Sequence, residues 1–174
     1  MEPIYLEEQR FRQPWLWGVL GGSALLTAAL LGWGAFVQLV LGQPWGNRPM
    51  PDGMLVVTLA IIAVVYGGLL WLCWAACLRT EVWQDHLSVR FYPFHSTPKE
   101  IPFASIRRWE VVRYSPLRDY GGWGVRYGAK GMAYNVSGDR GLQLELAGGD
   151  QLLIGTQRPD DLDLSLNVVA SEKG

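Results

Sequence analysis

Two long apolar runs constrain this chain more than any other feature. Between Trp15 and Leu78 the only charged side chains are Arg48 and Asp52, and both fall in one short stretch rich in Pro and Gly. The runs flanking that stretch, Trp15 to Leu41 and Gly53 to Leu78, each exceed the roughly 20 residues that a helix needs to cross a hydrocarbon core of about 30 Å. Only helices and closed barrels satisfy their own backbone in lipid, and these runs lack the alternation of a barrel strand. The sequence therefore predicts a two-helix transmembrane hairpin over 15–78, with helices at about 15–41 and 53–78. Pro44, Pro49 and Pro51 break the helix between them. The first run is too long for a signal-peptide core and follows Glu2, Glu7 and Glu8, so it is expected to stay in the chain.

Basic residues orient the hairpin. Arg10 and Arg12 precede it and Arg79 follows it, whereas the connecting turn holds only Arg48. By the positive-inside rule both termini are expected in the cytoplasm, in a multi-pass protein of the cell inner membrane. Trp15, Trp17, Trp45, Trp71 and Trp74 fall near the expected interfaces, where indole anchors a helix. Small residues recur every fourth position on the first helix, at Gly18 and Gly22 and again at Ala24, Ala28 and Gly32. Such faces let helices approach closely, here against the second helix or against a helix of another protein. Cys73 and Cys77 are four apart and read as buried, neutral thiols sharing a helix face. Neither helix holds an acid, a base or a histidine, which argues against transport and for an anchor or assembly surface.

Residues 1–14 read as a cytoplasmic N-terminal tail, and 79–174 as a cytoplasmic soluble domain. Alternation there predicts strands at Thr80–Gln84, Leu87–Phe94, Ile101–Phe103, Ile106–Tyr114, Trp123–Tyr127, Met132–Val136, Leu142–Leu146 and Gln151–Thr156. Pro159, followed by Asp160, Asp161 and Asp163, opens an expected C-terminal helix. The fold class that follows is a membrane α-helical hairpin plus an α+β domain. In that domain a partly open antiparallel β-barrel is capped by the terminal helix.

Four segments carry a resemblance: Tyr120–Gly128 (YGGWGVRYG), Ala133–Gly138 (AYNVSG), Gly141–Leu146 (GLQLEL) and Leu153–Pro159 (LIGTQRP). Together they resemble a bacterial two-helix membrane protein family of unknown function with a C-terminal bacterial pleckstrin-homology-like (PH-like) domain. The resemblance covers the soluble domain and, in layout only, the hairpin. It implies architecture and brings no catalytic residues with it.

Chemistry-bearing motifs are sparse. The glycines at 122, 124 and 128 miss the dinucleotide spacing, and no Lys-Ser/Thr pair ends a phosphate loop. No Cys/His cluster suggests a metal, and no cofactor is expected. Asn135-Val-Ser spells a glycosylation sequon on the expected cytoplasmic side. The most suggestive set is basic and aromatic: Arg107, Arg108, Arg113, Arg118, Tyr120, Trp123, Arg126, Tyr127 and Lys130. Such a patch suits a protein partner or anionic lipid headgroups, although pairing with Glu110 or Asp119 would occupy part of it. The soluble domain balances twelve Lys/Arg against twelve Asp/Glu, so no nucleic-acid partner is expected. The function expected is a non-enzymatic interaction module, an accessory or assembly subunit of a larger membrane complex. The alternative is a small membrane-surface enzyme with a pocket around Tyr120–Gly128 and His95.

Overall fold

The computed structural model describes residues 2–128 and 131–171. The chain divides into two units, one of residues 12–74 and one made of residues 1–11 together with 75–174.

The first unit holds two helices, α1 (Pro14–Ala35) and α2 (Asp52–Ala75). A π-helical turn at Phe36–Val40 extends α1. The resulting helices, Pro14–Val40 and Asp52–Ala75, have mean hydropathies of 1.7 and 2.5 and are long and apolar enough to cross a membrane. Only 6% of each apolar stretch is buried, so neither is the core helix of a soluble protein. Gln38 in the π-helical turn ties the helix ends together: its Nε2 donates to the Met50 carbonyl at 2.6 Å and to Asp52 Oδ1 at 2.7 Å.

The second helix stops earlier than its apolar run suggests. The chain leaves α2 at Ala75 and enters a strand at Cys77, where Leu78 is fully buried in the β-rich unit. Cys73 and Cys77 therefore do not share a helix face, because Cys77 lies on a strand. Burial, aided by the Glu8 carboxylate, raises the Cys77 thiol above its usual range.

Among the described residues, nine strands build the other unit. The four-stranded sheet A runs in order β1 (Tyr5–Arg10), β2 (Cys77–Val82), β3 (His86–Tyr92) and β4 (Lys99–Pro102), all antiparallel. The five-stranded sheet B comprises β5 (Ile106–Arg113), β6 (Gly124–Gly128), β7 (Gly131–Asn135), β8 (Arg140–Leu146) and β9 (Gln151–Gly155), in order β5-β8-β9-β7-β6. A short helix, α3 (Pro116–Tyr120), lies between β5 and β6, and α4 (Pro159–Ser171) ends the chain. The strands form two sheets and no closed barrel among the described residues. Pairing is not wholly antiparallel either, because β7 runs parallel to β9.

Alternation explains the core. Leu78, Val82, Leu87, Val89 and Phe91 of sheet A meet Tyr134, Leu142, Leu144, Leu152 and Ile154 of sheet B. Leu162, Leu166 and Val169, spaced at helical intervals on α4, close the same core. A second, smaller cluster of Tyr114, Tyr120, Ala133 and Leu153 covers the other face of sheet B.

Residues 5–10 are a strand and not a tail, which corrects the sequence reading of 1–14. Tyr5, Glu7 and Gln9 point inward and are buried. Glu7 Oε2 accepts from the Tyr5 hydroxyl and from the Thr156 hydroxyl, each at 2.6 Å, and Glu7 Oε1 accepts from the Gln157 amide at 2.8 Å. Gln9 Nε2 donates to the Gly155 carbonyl at 2.7 Å. The strand before the helices is thus held by the β9–α4 junction at the far end of the sequence. Arg10 pairs with Cys77, so the chain enters and leaves the helical hairpin from adjacent strands of one sheet.

Candidate interaction surface

The sequence-predicted arginines fall on opposite edges of sheet B. Arg107, Arg108 and Arg113 belong to β5 at one edge, and Arg126 with Tyr127 belongs to β6 at the other. The intervening three strands separate these edges by about 19 Å at ordinary strand spacing. The set is therefore not a single patch.

A β-bulge shapes β5. The register shifts between Ile106 and Arg108, and one extra residue reverses which side chains face inward. Ile106, Trp109 and Val111 consequently all pack on the main core, while Val112 joins the second cluster. This reversal is why strict alternation shows no clean apolar face here. Arg107 and Arg108 are left exposed. Arg108 Nη2 sits 3.1 Å from Glu110 Oε2, a solvent-exposed pair of the kind the sequence anticipated. Arg107 has no ion-pair or hydrogen-bond partner for its side chain among the described residues.

Beyond β5, Arg113, Tyr114, Ser115, Pro116, Arg118 and Asp139 line an open cleft of about 450 Å³. Arg113 Nε bonds Asp139 Oδ2 at 2.6 Å, and Arg118 Nε lies 3.4 Å from Asp119 Oδ1. Each guanidinium in the cleft already has a carboxylate. Ser115 caps α3 by accepting from the Arg118 amide at 3.4 Å, and Asp119 Oδ2 accepts from the Ser115 amide at 2.8 Å. Tyr120 is not part of any exposed surface. It is buried with its ring 5.9 Å from that of Tyr114, and burial pushes the Tyr114 hydroxyl up to about 12.

At the β6 edge, Arg126 Nε donates to the Trp123 carbonyl at 2.9 Å, which folds the side chain back beside Gly122. Trp123 is half-buried, whereas Tyr127 is 82% exposed. Lys130 lies outside the described residues. Asn135, noticed in the sequence only as a sequon, is fully buried and accepts the Gly124 amide at 2.9 Å, which fixes the start of β6.

Tyr120 and His95 do not line one pocket. Tyr120 packs in the cluster that contains Ala133, and the His95 ring meets Tyr134 edge-on at 5.1 Å. Ala133 and Tyr134 are successive strand residues and point to opposite faces of sheet B. His95 Nδ1 accepts the Phe91 amide at 3.3 Å, and its burial, then nearby Lys99, lowers its basicity. That contact turns the chain at the end of β3.

In the helical unit, Ala24, Ala28 and Gly32 line an apolar groove of about 380 Å³ with Leu59, Ile62 and Ala63 of α2. Thr27 and Tyr66 share a hydrogen bond of 3.3 Å across it. Gly18 and Gly22 have open space where a Cβ would stand, so α2 does not pack on that part of the stripe. Trp15, Trp71 and Trp74 are exposed, Trp17 is half-buried, and Trp45 folds its ring over Gly34.

No family model, curated protein or solved structure matches the chain.

Proposed function

We propose that this chain is a non-enzymatic, membrane-anchored interaction protein of the bacterial inner membrane. In this reading α1 and α2 cross the bilayer, and both termini and the β-rich unit lie in the cytoplasm. The β-rich unit is PH-like, a reading supported by two sheets around one core with a C-terminal helix packed into it. It serves as an accessory or assembly subunit and binds a protein partner.

The observation that carries this reading is the state of the sheet B edges. Both β5 and β6 are edge strands of sheet B, with no further strand paired beyond them among the described residues, and they carry exposed Arg107, Arg108, Arg126 and Tyr127. Such an edge takes up a partner strand by backbone hydrogen bonds, with arginine forks and an aromatic ring adding specificity. Dispersal of the arginines over two edges favours a protein partner over one anionic headgroup site. The enzyme alternative is disfavoured because Tyr120 and His95 face different clusters.

Purification of the full chain from native membranes in mild detergent tests this reading. A discrete protein is expected to co-purify in stoichiometric amount. Replacing Arg107 and Arg126 by Glu and Tyr127 by Ala should reduce its recovery by about tenfold or more, the loss typical of removing anchor residues. A chain that purifies alone, or a partner retained by the triple variant, would contradict it.

A further inference from the structure

The end of sheet A at which the chain passes from α2 into β2 carries an exposed aromatic loop. Tyr92 is the last residue of β3 and is 41% exposed, and Phe94, two residues on, is 57% exposed. The Phe91–His95 turn doubles the chain back here, with the His95 amide donating to the Phe91 carbonyl at 2.8 Å. Tyr92 pairs with Cys77, and Cys77 pairs with Arg10. These three form one row on the outer face of the sheet.

Chain geometry bounds how far this row can be from the end of α2. Paired strands lie about 5 Å apart, and two residues of chain span at most about 7 Å. Tyr92 is therefore within about 12 Å of Ala75, the last residue of α2, whatever the orientation of the sheet. An α2 of 24 residues is about 36 Å long against a hydrocarbon thickness of about 30 Å, which brings its end to the headgroup layer.

The chemistry of the row fits that layer. Arg10 is exposed, and the Arg90 guanidinium lies 5.9 Å over the Tyr92 ring. The nearest outer-face carboxylate, Glu8, stands one row further away and contacts Arg79, while Glu81, also on Arg79, and Glu100 stand two rows away. Aromatic rings and arginines without an adjacent free carboxylate are what membrane–water interfaces select.

We propose that the Tyr92–Phe94 loop, together with Arg10, is an interfacial anchor that dips into the headgroup layer and holds the β-rich unit against the bilayer. The proposal rests on the reading that α1 and α2 span the membrane. It assigns these residues to lipid, which leaves the β5 and β6 edges for a protein.

The test uses the full chain with Cys73 and Cys77 replaced by Ala, reconstituted in nanodiscs of phosphatidylethanolamine and phosphatidylglycerol. Spin labels are placed one at a time at Phe94→Cys, Tyr92→Cys, Gln84→Cys and Val64→Cys. Collision with oxygen reports lipid, and collision with a water-soluble nickel chelate reports solvent. The expected oxygen-to-nickel ratio is several-fold higher at positions 92 and 94 than at Gln84, an exposed residue of the β2–β3 turn, and highest at Val64. If Val64 reads as lipid while 92 and 94 match Gln84, the anchor loop is wrong and the spanning helices stand. Labels at 92 and 94 shielded from both reagents would place protein on the loop and also overturn the proposal. If Val64 itself reads as water, both readings fall.

Discussion

Removing residues 2–10 should abolish cooperative folding of the β-rich unit, although those residues precede the helices and look like a tail. The strand they form is the edge of sheet A and supplies buried Tyr5, Glu7 and Gln9. Its contacts lie far away in sequence, at Gly155, Thr156 and Gln157. A fragment starting at Arg79 would lack this strand and the first two residues of β2, Cys77 and buried Leu78. By contrast, joining Arg10 to Cys77 through a short Gly/Ser loop should give a folded domain without the hairpin, because those two residues are already paired. A single change isolates the main contact. Glu7→Ala leaves the Tyr5 hydroxyl, the Thr156 hydroxyl and the Gln157 amide without their shared acceptor, a loss of about 3 kcal/mol or more from a total that is typically about 5–15 kcal/mol. Glu7→Gln keeps one accepting oxygen and should lose less. Urea unfolding of the full chain in detergent measures both. A Glu7→Ala protein as stable as the parent would show that the Glu7 contacts do not hold β1, and a cooperatively folding protein without residues 2–10 would show that β1 is dispensable.

Gly131→Ala should be the most damaging single methyl in the chain. Gly131 has φ +90°, and a Cβ there would stand 2.2 Å from the Gln151 carbonyl oxygen at the junction of β7 and β9. The colliding atom is backbone, so relief requires the parallel β7–β9 pair to separate. Gly138 provides the control, with φ +79° and open space around its Cβ position. Gly138→Ala should show only the backbone preference, about 1–2 kcal/mol, while Gly131→Ala should exceed it by several kcal/mol. Comparison of the two unfolding midpoints separates steric collision from backbone strain. Equal losses at the two sites would mean that β7 moves away from β9 freely.

What the sequence made legible follows from how each signal arises. Strands β2 and β8 alternate, around Leu78 and Val82 and around Leu142 and Leu144, and each alternation is local. Helix α4 announces itself by Pro159 and its acidic first turn. Strand β1 could not be read this way, because two of its three inward residues are Glu7 and Gln9. Polar residues turn inward only where a partner waits, and their partners lie beyond residue 150. The end of α2 was hidden for the opposite reason. An apolar helix runs directly into a strand whose inward residue, Leu78, is equally apolar, so composition does not change where the backbone does. The parallel β7–β9 pair and the bulge in β5 are choices of partner and register, which alternation within one strand does not encode. The same limit governed the arginines. Proximity in sequence suggested one patch, but strand order carries β5 and β6 to opposite edges of sheet B. Tyr120 reads as a surface aromatic beside glycines, yet it fills the space that Gly128 leaves open.

The central claim is that the two apolar helices form a membrane-spanning hairpin that returns the chain to the side from which it entered. Cysteine accessibility in intact cells tests it most directly. In a chain lacking Cys73 and Cys77, single cysteines are placed at Asn47, in the connecting turn, and at Gly148, in the β8–β9 turn. Gly148 has no atom closer than 3.9 Å to a new Cβ, so the substitution leaves the fold intact. A membrane-impermeant maleimide added outside should label Asn47→Cys in intact cells and reach Gly148→Cys only after lysis. Labelling of Gly148→Cys without lysis, or protection of Asn47→Cys, would contradict the account.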